Sequence, residues 1–487
     1  MKRKYYQLIF YYLSIFIMMI GVLQLLPLVI LPFYPQESVY LRCFLVPGIA
    51  ALLVGGILRY LLRNTEIIKL DKHYDSILIV LIWIMAILIS TIPWMMTGKY
   101  NFHQATFEMT SGFSTTGLSV VDSDSCPRIF LFFRNITLLV GGVGLVLILT
   151  CAMNDRYGLN LYNADGHSDR LLPNLAKTAR VIFALYVGYI ILGSIAYYLA
   201  GMSLFDAVNT AIAAISTGGF STRSESIYAY HSLAVEIITI VLMMLGQTNF
   251  FIHYSLIKGR AKPLVKHCET RFFVFIAVVF IPLMTFNLLQ NGYAASLGES
   301  LRVTAFHFAT SITTTGFVGV KDMSLFPSGF ATAMIILMLI GGDLESTGGG
   351  IKQYRVIVAL KGIYYSIRDL LVNRKVVKTN YIFRTGKKVE LTDEETSSTT
   401  SYVLFYILLF FLGSFIFTMF GHNLQDSMFE FASALSTVGL SLGITGYSAH
   451  PVILWTGIIG MFFGRLEIMV IFRALLRGIR DIKGKND

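Results

Sequence analysis

Four short stretches of the 487-residue chain repeat one pattern: "FSTTGLSV" from Phe113, "ISTGGFST" from Ile215, "ITTTGFVG" from Ile312 and "LSTVGLSL" from Leu435. Each places a threonine two residues before a glycine and an apolar Leu or Phe directly after it. The chemistry open to such clusters is that of main-chain carbonyl oxygens. Several carbonyls aimed at one axis replace the hydration shell of a bare monovalent cation. Glycine allows the positive-φ conformations that such a turn of the chain needs. The candidate ligands are Thr115, Thr116 and Gly117; Thr217, Gly218 and Gly219; Thr314, Thr315 and Gly316; and Thr437, Val438 and Gly439. The threonines Thr115, Thr217, Thr314 and Thr437 are expected at the inner end, where a hydroxyl adds a ligand. One such cluster alone reads as an ordinary turn. Four in register, each after a short apolar stretch and before a long one, do not.

The elements that must hold these clusters are membrane helices. The chain is 55% hydrophobic and 14% charged, where a soluble chain carries roughly 25% charge. Apolar runs of about 20 residues suit a bilayer. Ten spans are expected, at 7–31, 41–62, 75–97, 129–152, 180–200, 232–257, 272–291, 328–358, 401–420 and 451–475. The basic, long-apolar N-terminus reads as an uncleaved first span. The net charge of +11 is a matter of topology and not of nucleic-acid binding. With both termini on one side, 31 Lys and Arg fall on that side and seven on the other. Both termini are therefore expected in the cytoplasm. The four cysteines, Cys43, Cys126, Cys151 and Cys268, have neither metal-ligand spacing nor tight pairing and read as inert thiols.

All four clusters then lie toward the outside. Each follows a stretch of about 11 residues, too short to span. Such a segment is allowed at membrane depth only when buried in protein or lining water. The fold class expected is an all-α integral membrane protein of ten transmembrane helices. Four units of helix, re-entrant short helix and second helix stand in pseudo-fourfold arrangement, with two extra N-terminal helices. The aligned glycines are 102, 97 and 123 residues apart. The expected division is 1–72 for the two extra helices, 73–157 for the first unit, 158–262 for the second and 263–361 for the third. A cytoplasmic loop at 362–400 lengthens the last interval, and 401–487 is the fourth unit. Each short helix aims its partly negative C-terminal end at its cluster, which favours a cation.

The run "MLIGGDLESTGGGIKQYR" interrupts the eighth span. Its glycines Gly341, Gly342, Gly348, Gly349 and Gly350 cannot sustain a helix. Below a ring of carbonyls such a loop would block the path. The bland alternative is a break that lets helices pack closely. Asp343 and Glu345 lie in this run, and Arg465 interrupts the last span. Intramembrane charges are costly and usually paired. Arg465 is expected to pair with an acidic group of the loop or with Glu467 and to hold the gate, the alternative being a snorkelling side chain. Lys352 and Arg355 read as headgroup anchors or contacts for a cytoplasmic partner. The basic stretches 368–388 and 473–485 read as a solvated face or a docking surface.

With these residues in view, the chain resembles the Trk/Ktr/HKT superfamily of potassium and sodium transporters, and within it the TrkH branch. The resemblance covers essentially the whole chain. It rests on the four clusters, on "LLVGGVGLVLI", "GGDLESTGGGIKQYR" and "GRLEI", and on the two extra N-terminal spans. It implies the fold of a tetrameric potassium channel written into one chain, potassium as bound and transported ion, and a homodimer. It further implies a cytoplasmic, nucleotide-binding, TrkA-like regulatory ring and a gating role for the glycine-rich loop. In this family a serine at the first of the four glycines goes with sodium transport in some plant members; all four are glycine here. Asp343 and Glu345 depart from the small neutral residues the family more often carries in the loop.

Other candidates carry less. His103, His307 and His422 lack metal-ligand spacing. Glu108, Asp206 and Glu430 precede the clusters, either to attract cations at the outer mouth or to cap helices. No nucleotide-binding or hydrolase motif is present. Three classes of function remain to be told apart: potassium uptake, a sodium-selective or ion-coupled carrier of the same fold, and a membrane enzyme using Asp343, Glu345 and Arg465.

Overall fold

The computed structural model describes residues 2–66, 72–144, 175–371, 380–466 and 468–483. Among them, six helical stretches are long and apolar enough to cross a bilayer: Lys2–Ile30, Pro35–Leu61, His73–Met95, Thr178–Leu199, Cys268–Gln290 and Asp393–Met419. The first pair, α1 (Lys2–Leu25) and α2 (Leu41–Leu61), packs closely together and against α3 (Lys72–Met95). Small residues allow it: a Cβ on Gly21 would crowd the Gly48 carbonyl of the facing helix.

The rest of the chain repeats one assembly four times. A long helix is followed by a short one and then by a second helix: α3, α4 (Phe102–Phe113) and α5 (Arg128–Val143); α6 (Leu175–Leu199), α7 (Leu204–Ile215) and α8 (Leu233–Gln247). After α9 (Phe250–Ile257) and α10 (Lys262–Lys266), the third assembly is α11 (Cys268–Gln290), α12 (Leu297–Ile312) and α13 (Ser328–Ile340). The fourth, beyond α14 (Gln353–Leu371), is α15 (Asp393–Met419), α16 (Leu424–Leu435) and α17 (Pro451–Leu466), with α18 (Ile468–Ile482) at the end. Each short helix packs on the long helix before it and on the helix after it. The second helix of each assembly also packs on the short helix of the next: α5 on α7, α8 on α12, α13 on α16, and α17 back on α4. The four assemblies therefore close into a ring.

The short helices begin alike for a local reason. Asn101, Ser203, Ser296 and Asn423 each accept the N–H of the residue three positions on, which satisfies an orphan donor of the first turn. Gln104 completes a reciprocal box with Asn101.

Two expectations are corrected. The span expected at 232–257 is two helices, α8 and α9, meeting at 105°. The break falls at Thr248–Asn249, where Asn249 caps α9 by accepting the Phe251 N–H at 2.8 Å. The break expected within 328–358 is present: α13 and the start of α14 flank the glycine-rich loop. The segment 362–400 is not a loop throughout. α14 runs to Leu371, and Tyr381–Arg384 (β1) pairs antiparallel with Lys387–Glu390 (β2). α15 starts already at Asp393, capped by Thr392 and with Asp393, Glu394 and Glu395 in its first turn, where the helix dipole favours them. Part of the fourth expected span, Cys151 and residues 372–379 lie outside the described residues.

Candidate ion-coordinating ring and gate

The four Thr-x-Gly clusters share one backbone conformation. Thr115, Thr217, Thr314 and Thr437 have φ of 55°, 51°, 55° and 51°, in the left-handed region. The glycine two residues on is also at positive φ: 92° at Gly117, 62° at Gly219, 88° at Gly316 and 101° at Gly439. This puts Gly219, and not Gly218, in register with the other three. The middle residue of each cluster donates its N–H five residues back, into the end of the short helix. Thr116 bonds Ser111 at 2.9 Å, Gly218 bonds Ala213 at 2.9 Å, Thr315 bonds Thr310 at 3.0 Å and Val438 bonds Ser433 at 2.8 Å. In two units a serine hydroxyl of the short helix also takes the glycine N–H, Ser111 from Gly117 and Ser433 from Gly439, both at 3.0 Å.

With the N–H groups drawn back onto the short helices, the carbonyls meet the neighbouring cluster. A Cβ on Gly117 would overlap the carbonyl oxygen of Gly218; on Gly219, that of Thr315; on Gly316, that of Val438; on Gly439, that of Thr116. The sequence of contacts returns to its start. Segments more than 300 residues apart, Thr116 and Gly439 among them, thus converge on one ring. The middle side chain differs from unit to unit (Thr116, Gly218, Thr315, Val438), while its carbonyl takes the same place each time. Below, the Thr115 and Thr437 hydroxyls are buried with no hydrogen-bond partner among the described residues.

Behind the ring, acids brace each cluster to its short helix. Buried Glu108 accepts from the Ser119 hydroxyl and the Val120 N–H, and pairs with buried Arg134 at 3.1 Å. The other arm of Arg134 reaches the Ser221 carbonyl of the second unit at 2.8 Å. Buried Glu430 accepts from Ser441, Leu442 and Thr445, with no cation among its partners in the described residues. Asp206 takes Ser203 and Thr222 and faces Arg223. These three acids are thus structural braces and not free charges at the mouth. The exposed carboxylates there are on the loops after the clusters. Hydrogen bonds from Ser224 and then Ser125 hold Asp122 below the usual carboxylate range, and bonds from Ser324 do the same for Asp322. The three candidate histidines stand apart: the His103 ring accepts from the Trp455 indole at 2.8 Å, His307 is buried on the Val303 carbonyl, and His422 is half-buried.

The glycine-rich loop lies directly against the inner threonines. Gly349 donates its N–H to the Thr314 hydroxyl at 2.6 Å, and a Cβ on Gly349 would overlap the Thr437 hydroxyl. The Thr217 hydroxyl lies 3.2 Å from that of Thr347. Thr347 in turn bonds the Ile215 carbonyl at 3.0 Å and the Gly246 carbonyl at 2.8 Å. Three of the four clusters are touched. On the side of the first, the Arg465 guanidinium joins the Thr347 carbonyl, at 3.0 Å, to the carbonyls of Gly141 and Gly142 at the end of α5. Gly341 and Gly350 anchor the loop ends at φ 74° and 78°, and Gly342 bonds Gly349 across its neck at 3.2 Å.

The break after α8 serves the same loop. Carbonyls at a helix end lack intrahelical donors; here Gly246 accepts the Thr347 N–H and Gln247 the Asp343 N–H. Asn249 donates its side-chain N–H to the Leu344 carbonyl at 2.8 Å. Glu345, at φ 58°, accepts the Phe250 N–H. The polar run "GQTN" inside an apolar stretch was the available signal for this break.

Asp343 is buried beside Glu269 and His267, whose ligand atoms all lie within 4.8 Å of one another. The described contacts of Arg465 are carbonyls, and Glu467 lies outside the described residues. Lys352, expected among headgroups, turns back and donates to the Gly348 carbonyl. The Asp343 carboxylate accepts the Asn249 N–H, the Glu345 carbonyl accepts the Phe250 N–H, and Arg465 reaches the carbonyls of Gly141, Gly142 and Thr347. A further chain of contacts runs outward from Asp343's neighbours. The Thr385 N–H, in the turn between β1 and β2, donates to His267 Nδ1 at 3.1 Å, which leaves Nε2 to donate to Glu269 at 2.6 Å. Glu269 in turn accepts the Leu344 N–H of the loop at 2.7 Å and the Tyr354 N–H of α14 at 3.1 Å.

Membrane-length helices with four Thr-x-Gly clusters meeting in one ring among them are the architecture of a multi-pass membrane protein suited to ion transport. Residues 42–478 match the family described as "TrkH: Cation transport protein", and the chain belongs to that family. It is 30% identical over 456 residues to the Trk system potassium uptake protein TrkG of Escherichia coli, covering 91% of this chain and 92% of that one. It is 29% identical over 473 residues to an uncharacterized cation transporter of Methanocaldococcus jannaschii, covering 94% of each. The crystal structure of the potassium transporter TrkH from Vibrio parahaemolyticus has the same fold, with a TM-score of 0.84 over 96% of this chain and 98% of that one at 24% identity.

Proposed function

We propose that the chain takes up potassium across the cytoplasmic membrane of a bacterium, through the ring formed by residues 115–117, 217–219, 314–316 and 437–439. The observation that carries this reading is the cyclic contact of the four clusters, each carbonyl seated against the next glycine. Oxygens held on a closed ring can replace water around a potassium ion, and the C-terminal ends of four short helices add favourable potential. Four glycines, with no serine among them, favour potassium over the sodium-selective or sodium- or proton-coupled alternative. An interior negative by 100 mV supplies ~2.3 kcal/mol per monovalent ion, a ~50-fold gradient, so uptake needs no coupled ion.

In this reading the chain has ten spans with both termini in the cytoplasm, and the four short helices are re-entrant. The repeats divide at 73–157, 158–262, 263–361 and 401–487. The loop 341–350 is the gate, here closed, and Arg465 is its latch. The chain pairs with a second copy and answers to a TrkA-like nucleotide-binding ring. The potassium-uptake names of the relatives support the ion; the strapping of the loop to three clusters supports the gate. Expression in a potassium-uptake-deficient strain tests the reading. Growth should be restored at limiting potassium, and rubidium flux into proteoliposomes should exceed sodium flux. Sodium conductance without rescue would favour the alternative.

A further inference from the structure

The N-terminus of α11, the middle of α14 and strand β1 enclose a cleft of about 300 Å³. Lys266, Arg271 and Lys361 converge on it, and Phe272, Ile357 and Phe383 form apolar walls. No carboxylate among the described residues lines it. Arg271 and Lys361 spend a donor each on a main-chain carbonyl, of Val265 and Tyr381. None of the three cations is ion-paired among the described residues. Three like charges around one small cleft repel each other unless an anion joins them. α11 is also one of the apolar spans and starts at Cys268, so the cleft lies where a membrane helix begins. Basic pockets between helices at that level suit phosphate headgroups, and the apolar walls suit the stem of an amphiphile.

We propose that this cleft is a binding site for a phosphate group, and that its occupancy is transmitted to the loop 341–350. The lining residues flank both ends of the chain of contacts already described. Lys266 and Cys268 stand on either side of His267, and Phe383 lies two residues before Thr385, whose N–H holds the His267 ring. A phosphate drawn between Lys266, Arg271 and Lys361 tightens the hairpin onto His267, and through Glu269 holds Leu344 and Tyr354 in place.

Native mass spectrometry of the purified chain tests the site without reference to ion flux, so its failure leaves the transport reading untouched. Phosphatidylglycerol, phosphatidylcholine and inorganic phosphate are the probes. The chain should retain one phosphatidylglycerol under conditions that strip phosphatidylcholine. Lys266→Gln, Arg271→Gln and Lys361→Gln should each weaken retention roughly fivefold, while Lys258→Gln with Arg260→Gln should not. Retention of inorganic phosphate, lost in the same variants, would support the site and identify a soluble source. Equal retention by wild type and the triple variant, no preference over phosphatidylcholine together with no retention of inorganic phosphate, or equal loss in the Lys258/Arg260 control would overturn it. The coupling rests on the transport reading. His267→Phe should keep the lipid yet lose any change of rubidium flux between vesicles with and without phosphatidylglycerol; a flux response that survives refutes the relay.

Discussion

The ring of carbonyls and the loop beneath it are built on opposite plans. The ring is made four times over from the same local parts: a capped short helix, a left-handed threonine and a glycine with no room for a Cβ. The loop is made once, from the third unit, and is held by dissimilar contacts: a threonine of the second unit, a hydroxyl of the third and an arginine of the fourth reaching carbonyls of the first. Repetition suits a site that must surround a spherical ion. A single asymmetric element suits a part that must move, because only one set of bonds has to break.

The contrast predicts unequal sensitivity. Gly439→Ala or Gly316→Ser should abolish rescue and reduce rubidium flux roughly a hundredfold, since the strain of a left-handed side chain, about 1–3 kcal/mol, adds to overlap with a ligand carbonyl. Gly56→Ala, where a Cβ meets nothing, is the control and should transport normally. In the loop the sign reverses. Arg465→Gln should raise basal flux about tenfold, because it removes charge-assisted bonds to three carbonyls. Thr347→Val, which removes one neutral hydroxyl donor shared between two carbonyls, should raise it only about fivefold. A fall in flux in both would mean that the loop supports the ring and does not close it.

The braces sharpen the same comparison within the ring. Glu108→Gln leaves Arg134 buried without its counter-charge and should cost about 3–5 kcal/mol, read as a large drop in the melting temperature of the purified protein. Glu430→Gln keeps an acceptor for hydroxyl and N–H donors and should cost only about 1 kcal/mol. Equal losses would show that the two units are braced in the same way after all.

The ring was legible in the residues because it is written four times, and a copy in register discounts the ordinary turn at each place. Gly219 aligns over Gly218 in the sequence through its Phe220 neighbour, and its positive φ matches the other three glycines. The loop was legible as a break, from its glycines, but its bonds were not. Arg465 and Lys352 bond to main-chain carbonyls, which every residue carries and no letter marks. The pairing of Arg134 left no mark in the sequence because its partner lies 26 residues earlier, on another helix. The bend after α8 was hidden because "GQTN" is too short to lower the hydrophobicity of a 26-residue run. The hairpin and His267 meet across 118 positions of chain, a distance no local pattern spans.

The middle position of the quartets, where Thr116, Gly218, Thr315 and Val438 stand, has a consequence for how such a conduit can vary. An assembly of four identical subunits must accept every substitution in quadruplicate. Here one gene encodes all four quarters, so a change alters a single quadrant of the cage and leaves the others as they were. Ion preference can drift by small increments in one quarter at a time.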